Sequence, residues 1–166
     1  MPEGWLCRFA PPQECIVSPN ELEHYLHQHI PLSQAMHVSV VSVRPEDVVL
    51  SAPLPPNINH FSTVFGGSAS AIAILAAWSL LHARLHDEGL DSRLVIQRNT
   101  MRYERPIGGS FTARSFLSDP LAWSVFTRTL RRRGRARIAV SCVLEYAGQP
   151  VGQLDGLFVA LGKDSD

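Results

Sequence analysis

The stretch from Gly66 to about His86, GGSASAIAILAAWSLLHARLH, constrains the fold more than any other part of the chain. Alanine and leucine favour helix, and between Ala69 and Leu81 apolar residues point in nearly every direction around a helical axis. A surface helix would show one apolar stripe. One that is apolar on all sides must be enclosed, and the chain therefore needs a sheet wrapped around it. The run is interrupted by Ser70 and Ser79 and falls short of the roughly 20 residues of a membrane span, so enclosure by protein is the expectation.

The flanking segments supply that sheet. Ser18-Pro19-Asn20-Glu21 combines a capping box with proline at the first helical position, and predicts a helix that ends near Ile30 because Pro31 disfavours continuation. From Met36 to Val43 and from Val48 to Leu54 the pattern is β-rich, with the turn-like Arg44-Pro45-Glu46-Asp47 between, which predicts a hairpin. Residues 53–64, PLPPNINHFSTV, tolerate neither ladder nor helix and read as a loop. Four further strand-like runs follow, at 94–103, 110–116, 135–146 and 151–161. The third alternates Ala136, Ile138, Val140, Cys142, Leu144 and Tyr146 against mainly polar neighbours. A short helix over 121–130 ends in Arg131-Arg132-Arg133. Helix, two strands, long helix and four strands make an α+β antiparallel architecture rather than alternating βαβ units.

With 166 residues, one domain is the default, large enough to bury roughly 70% of its unfolded surface. Residues 18–162 form that domain, and residues 1–17, with three prolines and no periodicity, read as a poorly ordered extension. Fifteen basic and fifteen acidic side chains balance to a net charge of zero, which argues against nucleic acid or a membrane surface as partner. Cys7, Cys15 and Cys142 are odd in number and lack C-x-x-C spacing, so no disulfide framework or zinc site is suggested, and a reducing cytoplasm fits. No metal or bound cofactor is implied.

At this point the order of elements and five separated blocks carry a resemblance. APLPPNINHFSTVFGGSASAIAILAAW, preceded by IPLSQAM and followed by YERPIGGSFTA, GRARIAV and DGLFVAL, resembles the small single-domain hotdog proteins of the thioesterase-like class, some of which are malonyl-acyl-carrier-protein decarboxylases. The resemblance covers about residues 22–161. It implies an antiparallel sheet curled around a central helix, a homodimer or dimer of dimers, and a substrate carried on the phosphopantetheine of acyl carrier protein or coenzyme A.

The residues themselves support such chemistry. Gly66 and Gly67 sit where the loop enters the long helix, so the first-turn amides of Gly67 and Ser68 lack intrahelical partners and point out along the positive end of the dipole. They can form an oxyanion hole, which glycine leaves open to close approach; a tight turn and close packing would equally explain the glycines. Asn59 stands six residues before Phe65, the position preceding the glycine pair, where hotdog thioesterases commonly carry an Asn. It is the candidate donor to a thioester carbonyl, with Thr63 as a second. Asn57 is counted as a substrate contact, although an Asx-type turn accounts for it more simply. His60 could donate or protonate, or be a solvated loop residue. Asp155 interrupts an apolar strand, which an arginine partner in the core or at a dimer interface would explain, with a catalytic role as the alternative; Glu104 is placed on a strand.

Departures from the family pattern bear on the reaction. Where many hotdog thioesterases have His before the glycine pair and an acid two turns into the helix, this chain has Phe65 and, nearby, Ile74 and Leu75. Hydrolysis then lacks a visible base, whereas decarboxylation of a malonyl thioester needs an oxyanion hole, a neutral donor and a desolvated pocket. Malonyl-acyl-carrier-protein decarboxylation is the first expectation, thioester hydrolysis the second and a non-catalytic acyl- or carrier-binding module the third. Arg131, Arg132, Arg133 and Arg135, with Arg128 and Arg137, gather six of the fifteen basic residues within ten positions. Placed near the pocket, they would steer an acidic carrier protein or coenzyme A; a solvated basic turn is the alternative.

Overall fold

A computed structural model describes residues 17–162, so the extension expected over residues 1–17 lies almost wholly outside the described residues. The element order is α1 (Pro19–His29), α2 (Pro31–Ala35), β1 (Ser39–Val43), β2 (Asp47–Ala52), α3 (Gly66–Asp87), β3 (Ser92–Tyr103), β4 (Phe111–Phe116), α4 (Ala122–Arg133), β5 (Arg135–Tyr146) and β6 (Gln149–Gly162). One antiparallel sheet of six strands runs in the order β1-β2-β4-β5-β6-β3. It curls around α3 as the hotdog resemblance implied.

The capping box forms as expected: the Ser18 hydroxyl accepts from the Glu21 amide and the Glu21 carboxylate accepts from the Ser18 amide. Pro31 does end α1, but it also opens α2 as its first helical residue, a use of proline that costs no hydrogen bond. The first strand consequently starts at Ser39 rather than Met36. The Arg44–Asp47 turn is held by a two-pronged ion pair of 2.8 and 2.9 Å. The helix expected over 121–130 extends to Arg133 and stops at Gly134, whose φ of 65° suits a residue without Cβ. The three arginines thus occupy its last turn, where cations complement the helix dipole.

With 22 residues, α3 is long and apolar enough by composition to cross a membrane, and the sheet buries it instead. Ile72, Ala73, Ala76, Ala77, Leu80 and Leu81 are inaccessible, and Ser115 of β4 ties helix to sheet by donating to Ala76 O at 2.8 Å. Burial is not uniform around the axis. Ala71, Ile74 and Trp78 remain half-buried along one flank, so the expected enclosure on all sides is incomplete within one chain.

The two edges of the sheet differ. Short β1 is covered by α1, whose Glu23 carboxylate accepts from Val40 N at 2.8 Å and whose His27 ring donates to Val38 O at 2.8 Å. β3 stands at the other edge with twelve residues, and among the described residues no strand pairs with its outer side. On the sheet's outer face Asp155 meets Arg102 at 3.7 Å and accepts from Ser141 at 2.8 Å, which supplies the arginine partner that its position calls for.

Candidate active site

The loop between β2 and α3 is built by its two asparagines. Asn57 is 1% exposed and its side-chain amide donates to Met36 O at 2.9 Å and to Pro53 O at 2.8 Å, while its backbone carbonyl accepts from Phe65 N at 2.7 Å. It clamps the two ends of the loop together. Asn59 organises the tip: its Oδ1 accepts from Phe61 N at 2.8 Å and Thr63 N at 3.2 Å, and its Nδ2 donates to Thr63 Oγ1 at 3.0 Å and, more weakly, to Val64 O at 3.4 Å. His60 lies at the exposed tip against Phe61, ring centres 4.0 Å apart. Asn59 and Thr63 therefore come together, directly before the helix start, and His60 points away into solvent with Phe61.

The start of α3 is left open. Phe65 occupies the N-cap position with extended backbone and offers no side-chain acceptor, and no acid lies in the first turn. The first intrahelical bond runs from Ala69 N to Phe65 O at 3.0 Å, which leaves the amides of Gly66, Gly67 and Ser68 ahead of the ladder. The Phe65 ring lies so close to Gly67 that a Cβ there would stand 2.2 Å from its Cε1; the glycine is needed for that contact as well as for access. On the other side the Tyr103 ring approaches within 3.5 Å of where a Gly66 Cβ would be. Two aromatic rings thus frame three unspent donors at the positive end of a helix about 33 Å long.

One cavity adjoins this point, and a second lies further along the helix from Ala71 onward. One, of about 340 Å³, has Gly66, Ala69 and Leu144 at its base and Tyr103, Glu104 and Arg105 at its rim. The other is a groove of about 450 Å³ along the half-buried flank of α3, past Ala71, Ile74, Leu75 and Trp78 toward β3. No acid or base stands on that helical flank. Glu104 follows the last residue of β3 rather than lying in the strand, and with Tyr103 it is the site feature that sequence reasoning did not place. The signal was present, since both belong to the YERP block, but only the fold brings that block to Gly66.

Arg131, Arg132, Arg133 and Arg135 lie elsewhere. Arg131 binds Glu88 at 2.9 Å just beyond the end of α3, so within one chain the cluster is separated from Gly67 by the length of that helix, about 30 Å. The proximity to the pocket that the sequence suggested is absent inside a single subunit. Cys142 offers no nucleophile, because burial pushes its thiol up to about 12. Among the described residues, no group of three His, Cys, Asp or Glu side chains is placed to hold a metal.

Comparison with known proteins agrees with this fold. Residues 19–162 match the family described as "Putative thioesterase (yiiD_Cterm)". A solved protein of unknown function from Chlorobaculum tepidum superposes with a TM-score of 0.84 at 25% identity, covering 90% of this chain and 100% of the other. A thioesterase-like structure from Shewanella oneidensis gives 0.77 at 27% identity, covering 86% and 96%. A thioesterase from Haemophilus influenzae, at 11% identity and TM-score 0.70 over 88% and 92% of the chains, shares the fold.

Proposed function

The chain belongs to the family described as "Putative thioesterase (yiiD_Cterm)", and on that footing we propose that it processes acyl thioesters at the open start of α3, decarboxylating malonyl-acyl carrier protein to acetyl-acyl carrier protein. One observation carries this reading: three unspent amides stand at the uncapped start of α3, beside a cavity whose helical wall, Gly66 and Ala69, holds neither acid nor base. The thioester oxygen accepts from the Gly67 and Ser68 amides. As the bond between Cα and the carboxylate breaks, its electron pair moves into the thioester, carbon dioxide leaves, and the enolate oxygen gathers charge where donors already wait. A proton drawn from solvent then passes to Cα and completes the acetyl methyl group. The apolar side of that cavity, Val64, Ile107, Leu144 and Val151, favours neutral carbon dioxide over the carboxylate. The 3.4 Å contact from Asn59 Nδ2 to Val64 O is the weakest of that side chain's bonds, and the thioester carbonyl would replace it, with Thr63 holding the amide in place. Asn57 acts through the loop that it clamps.

A second copy of the chain completes this picture. The twelve-residue β3 edge has no partner strand among the described residues, and closing it against the same edge of another copy removes a long open ladder. Antiparallel pairing sets the start of one β3 beside the end of the other. The arginine-bearing end of one subunit then approaches the α3 start of its partner, where it can steer the phosphopantetheine of an acidic carrier or of coenzyme A.

Hydrolysis is the second reading, favoured by Glu104 at the rim of the cavity beside Gly66, a carboxylate able to activate water. Incubation with malonyl-, acetyl- and longer acyl-carrier-protein substrates separates the two. Carbon dioxide without free thiol is the expected result; free thiol without carbon dioxide overturns decarboxylation in favour of hydrolysis. Neither product, with measurable binding, leaves a carrier-binding module.

A further inference from the structure

Loss of carbon dioxide at the α3 start leaves a basic carbon, and protonating it from one fixed direction needs a donor held over the helix start. Few side chains qualify. Asn59 and Thr63 are spent on each other and on the loop, and His60 stands at the exposed tip against Phe61. A guanidinium does not give up its proton in a protein, which excludes Arg105 on the rim of the cavity.

Tyr103 is placed differently. Outside the helix and its chain neighbours, the three atoms nearest to a Cβ on Gly66 would be the Cε1, Cζ and hydroxyl oxygen of Tyr103, at 3.5, 3.8 and 4.0 Å. The hydroxyl end of the ring, not its stem, therefore lies against the helix start. That hydroxyl has no hydrogen-bond partner among the described residues, and Tyr103 is 58% exposed, so water can return a proton to it.

The placement is held by the fold. Tyr103 is the last residue of β3 and pairs with Gly152 of β6, on the same strand face as Met101, which packs on the core. A Cβ on Gly152 would lie 2.9 Å from Arg102 O, so this close pairing needs the glycine. Just beyond the strand, the amides of Glu104 and Arg105 both donate to Val151 O, at 2.9 and 3.1 Å. The loop before α3 is tied to the same segment, because Val64 N donates to Ile107 O at 2.8 Å. Ring and helix start are thus fixed relative to each other.

The distances permit a transfer. A Gly66 Cβ would stand about 3 Å from the Gly67 nitrogen, which puts the phenol oxygen within about 7 Å of that amide. An enolate oxygen about 2.9 Å from the nitrogen carries Cα about 2.4 Å away, so a span of this size lets Cα come within about 3 Å of the phenol oxygen.

We propose that Tyr103 is the proton donor to the enolate, and that the proton drawn from solvent reaches Cα through its hydroxyl. The phenol O–H bond breaks as the enolate's π pair forms the new C–H bond, the thioester carbonyl is restored, and the phenolate takes a proton back from solvent. The enolate carbon is a far stronger base than a phenolate oxygen, so the transfer runs downhill. The inference rests on the reading that the α3 amides hold the thioester oxygen while carbon dioxide leaves.

The test follows 2-methylmalonyl-acyl carrier protein in deuterium oxide, during an incubation too short for the substrate to exchange its own α-hydrogen. Its product, 2-deuteriopropionyl thioester, records the face from which the deuteron came. Wild type should give one enantiomer in about tenfold excess or more, and Tyr103→Phe, which keeps the ring against Gly66, should give nearly equal amounts while still releasing carbon dioxide. If the methyl branch is refused, malonyl-acyl carrier protein in an equal mixture of light and heavy water decides. The protium-to-deuterium ratio of the new methyl hydrogen should then differ about twofold between wild type and Tyr103→Phe, because the donor has changed. Carbon dioxide release with no enantiomeric excess in wild type overturns the inference alone, as does an excess or a ratio that Tyr103→Phe leaves unchanged. Loss of the excess in Glu104→Gln but not in Tyr103→Phe also overturns it, and assigns the donor to the neighbouring carboxyl. No carbon dioxide from either substrate removes the decarboxylation reading itself, and the proton donor with it.

Discussion

The two ends of α3 handle the same physical problem in opposite ways. Any helix leaves unpaired donors at its start and unpaired acceptors at its end. At the C-terminal end the carbonyls of Arg84, His86 and Leu85 accept from Glu88 N, Gly89 N and Leu90 N at 3.2, 2.9 and 2.9 Å. Glu88 accepts from the Trp123 indole and from Arg131 at 2.9 Å, and the Arg84 guanidinium lies 4.1 Å from the centre of the Trp123 ring, so α3 and α4 are locked together. At the N-terminal end there is no cap, no acid and no covering side chain over Gly67 except the half-exposed Phe65 ring. A sequence that can satisfy one end so fully has left the other unsatisfied in a chain of thioesterase-like kin. Unspent hydrogen-bonding capacity is what a site for a developing oxyanion requires.

The sharpest way to break that contrast is to cap the open end. Phe65→Asp places a carboxylate where it can accept from the Gly67 and Ser68 amides. Stability should rise by about 1 kcal/mol, the usual worth of an N-cap, and turnover of the thioester substrate should fall about 100-fold or more, since the oxyanion would compete with a resident anion. Thermal unfolding and a product assay on the same preparation check both. Gained stability with turnover kept within about threefold of wild type would show that the amides are not the site.

A smaller effect is expected from the arginines. Arg131 is committed to Glu88, whereas Arg132 and Arg133 are exposed on the last turn of α4. Reversing both, Arg132→Glu with Arg133→Glu, should slow association with acyl carrier protein about tenfold at low ionic strength, and the difference should shrink as salt rises. Stopped-flow association across a salt series reads this out; equal salt slopes for variant and wild type would remove the docking role. Smaller again is the loss from opening the closed end. Glu88→Ala deprives the Trp123 indole and Arg131 of their acceptor and should cost about 1 kcal/mol in denaturant unfolding, because the carboxylate is partly exposed and its ion pair is screened.

How much of this contrast could be read from the chain follows from what kind of interaction each part uses. The α1 cap, the length of α3 and the alternation of β5 are local, so spacing and residue type announce them. Pro31 was ambiguous for a physical reason: the proline that ends one helix is equally suited to begin the next, and only packing chooses. The glycine pair was legible as an opening, but the second reason for Gly67, the Phe65 ring folded against it, depends on a side-chain rotamer. Asn59 and Thr63 could be paired from their spacing, whereas the separate job of Asn57, reaching Met36 O across 21 positions, could not. The arginine cluster was conspicuous, yet its distance from the pocket is set by the antiparallel course of β5 and by where α4 packs. Glu104 and Tyr103 reach Gly66 only because β3 runs the full length of the sheet.

His82 lies on α3 between the two ends and gives the smallest expected effect, one that sharpens the contrast without touching either. Burial lowers its pKa below the ordinary 6.5, and the neighbouring His86 and His29 push in the same direction. The Tyr25 and Trp78 rings that stack against it carry no charge to oppose that shift. The folded protein therefore binds fewer protons at this site than the unfolded chain does. The stability contributed by neutral His82 is fully present above the unfolded value of 6.5 and is lost progressively as pH falls below it toward the lower folded value. Unfolding temperature should fall more steeply from about pH 7 to about pH 5 in wild type than in His82→Gln, which keeps a polar side chain but cannot titrate. The Phe65→Asp variant provides the control, because a carboxylate at the far end of the helix should shift its curve upward without changing the slope that His82 sets. Parallel curves for wild type and His82→Gln would mean that His82 is solvated in both states, and that the Tyr25 and Trp78 rings hold it more loosely than their distances of 4.7 and 4.5 Å indicate.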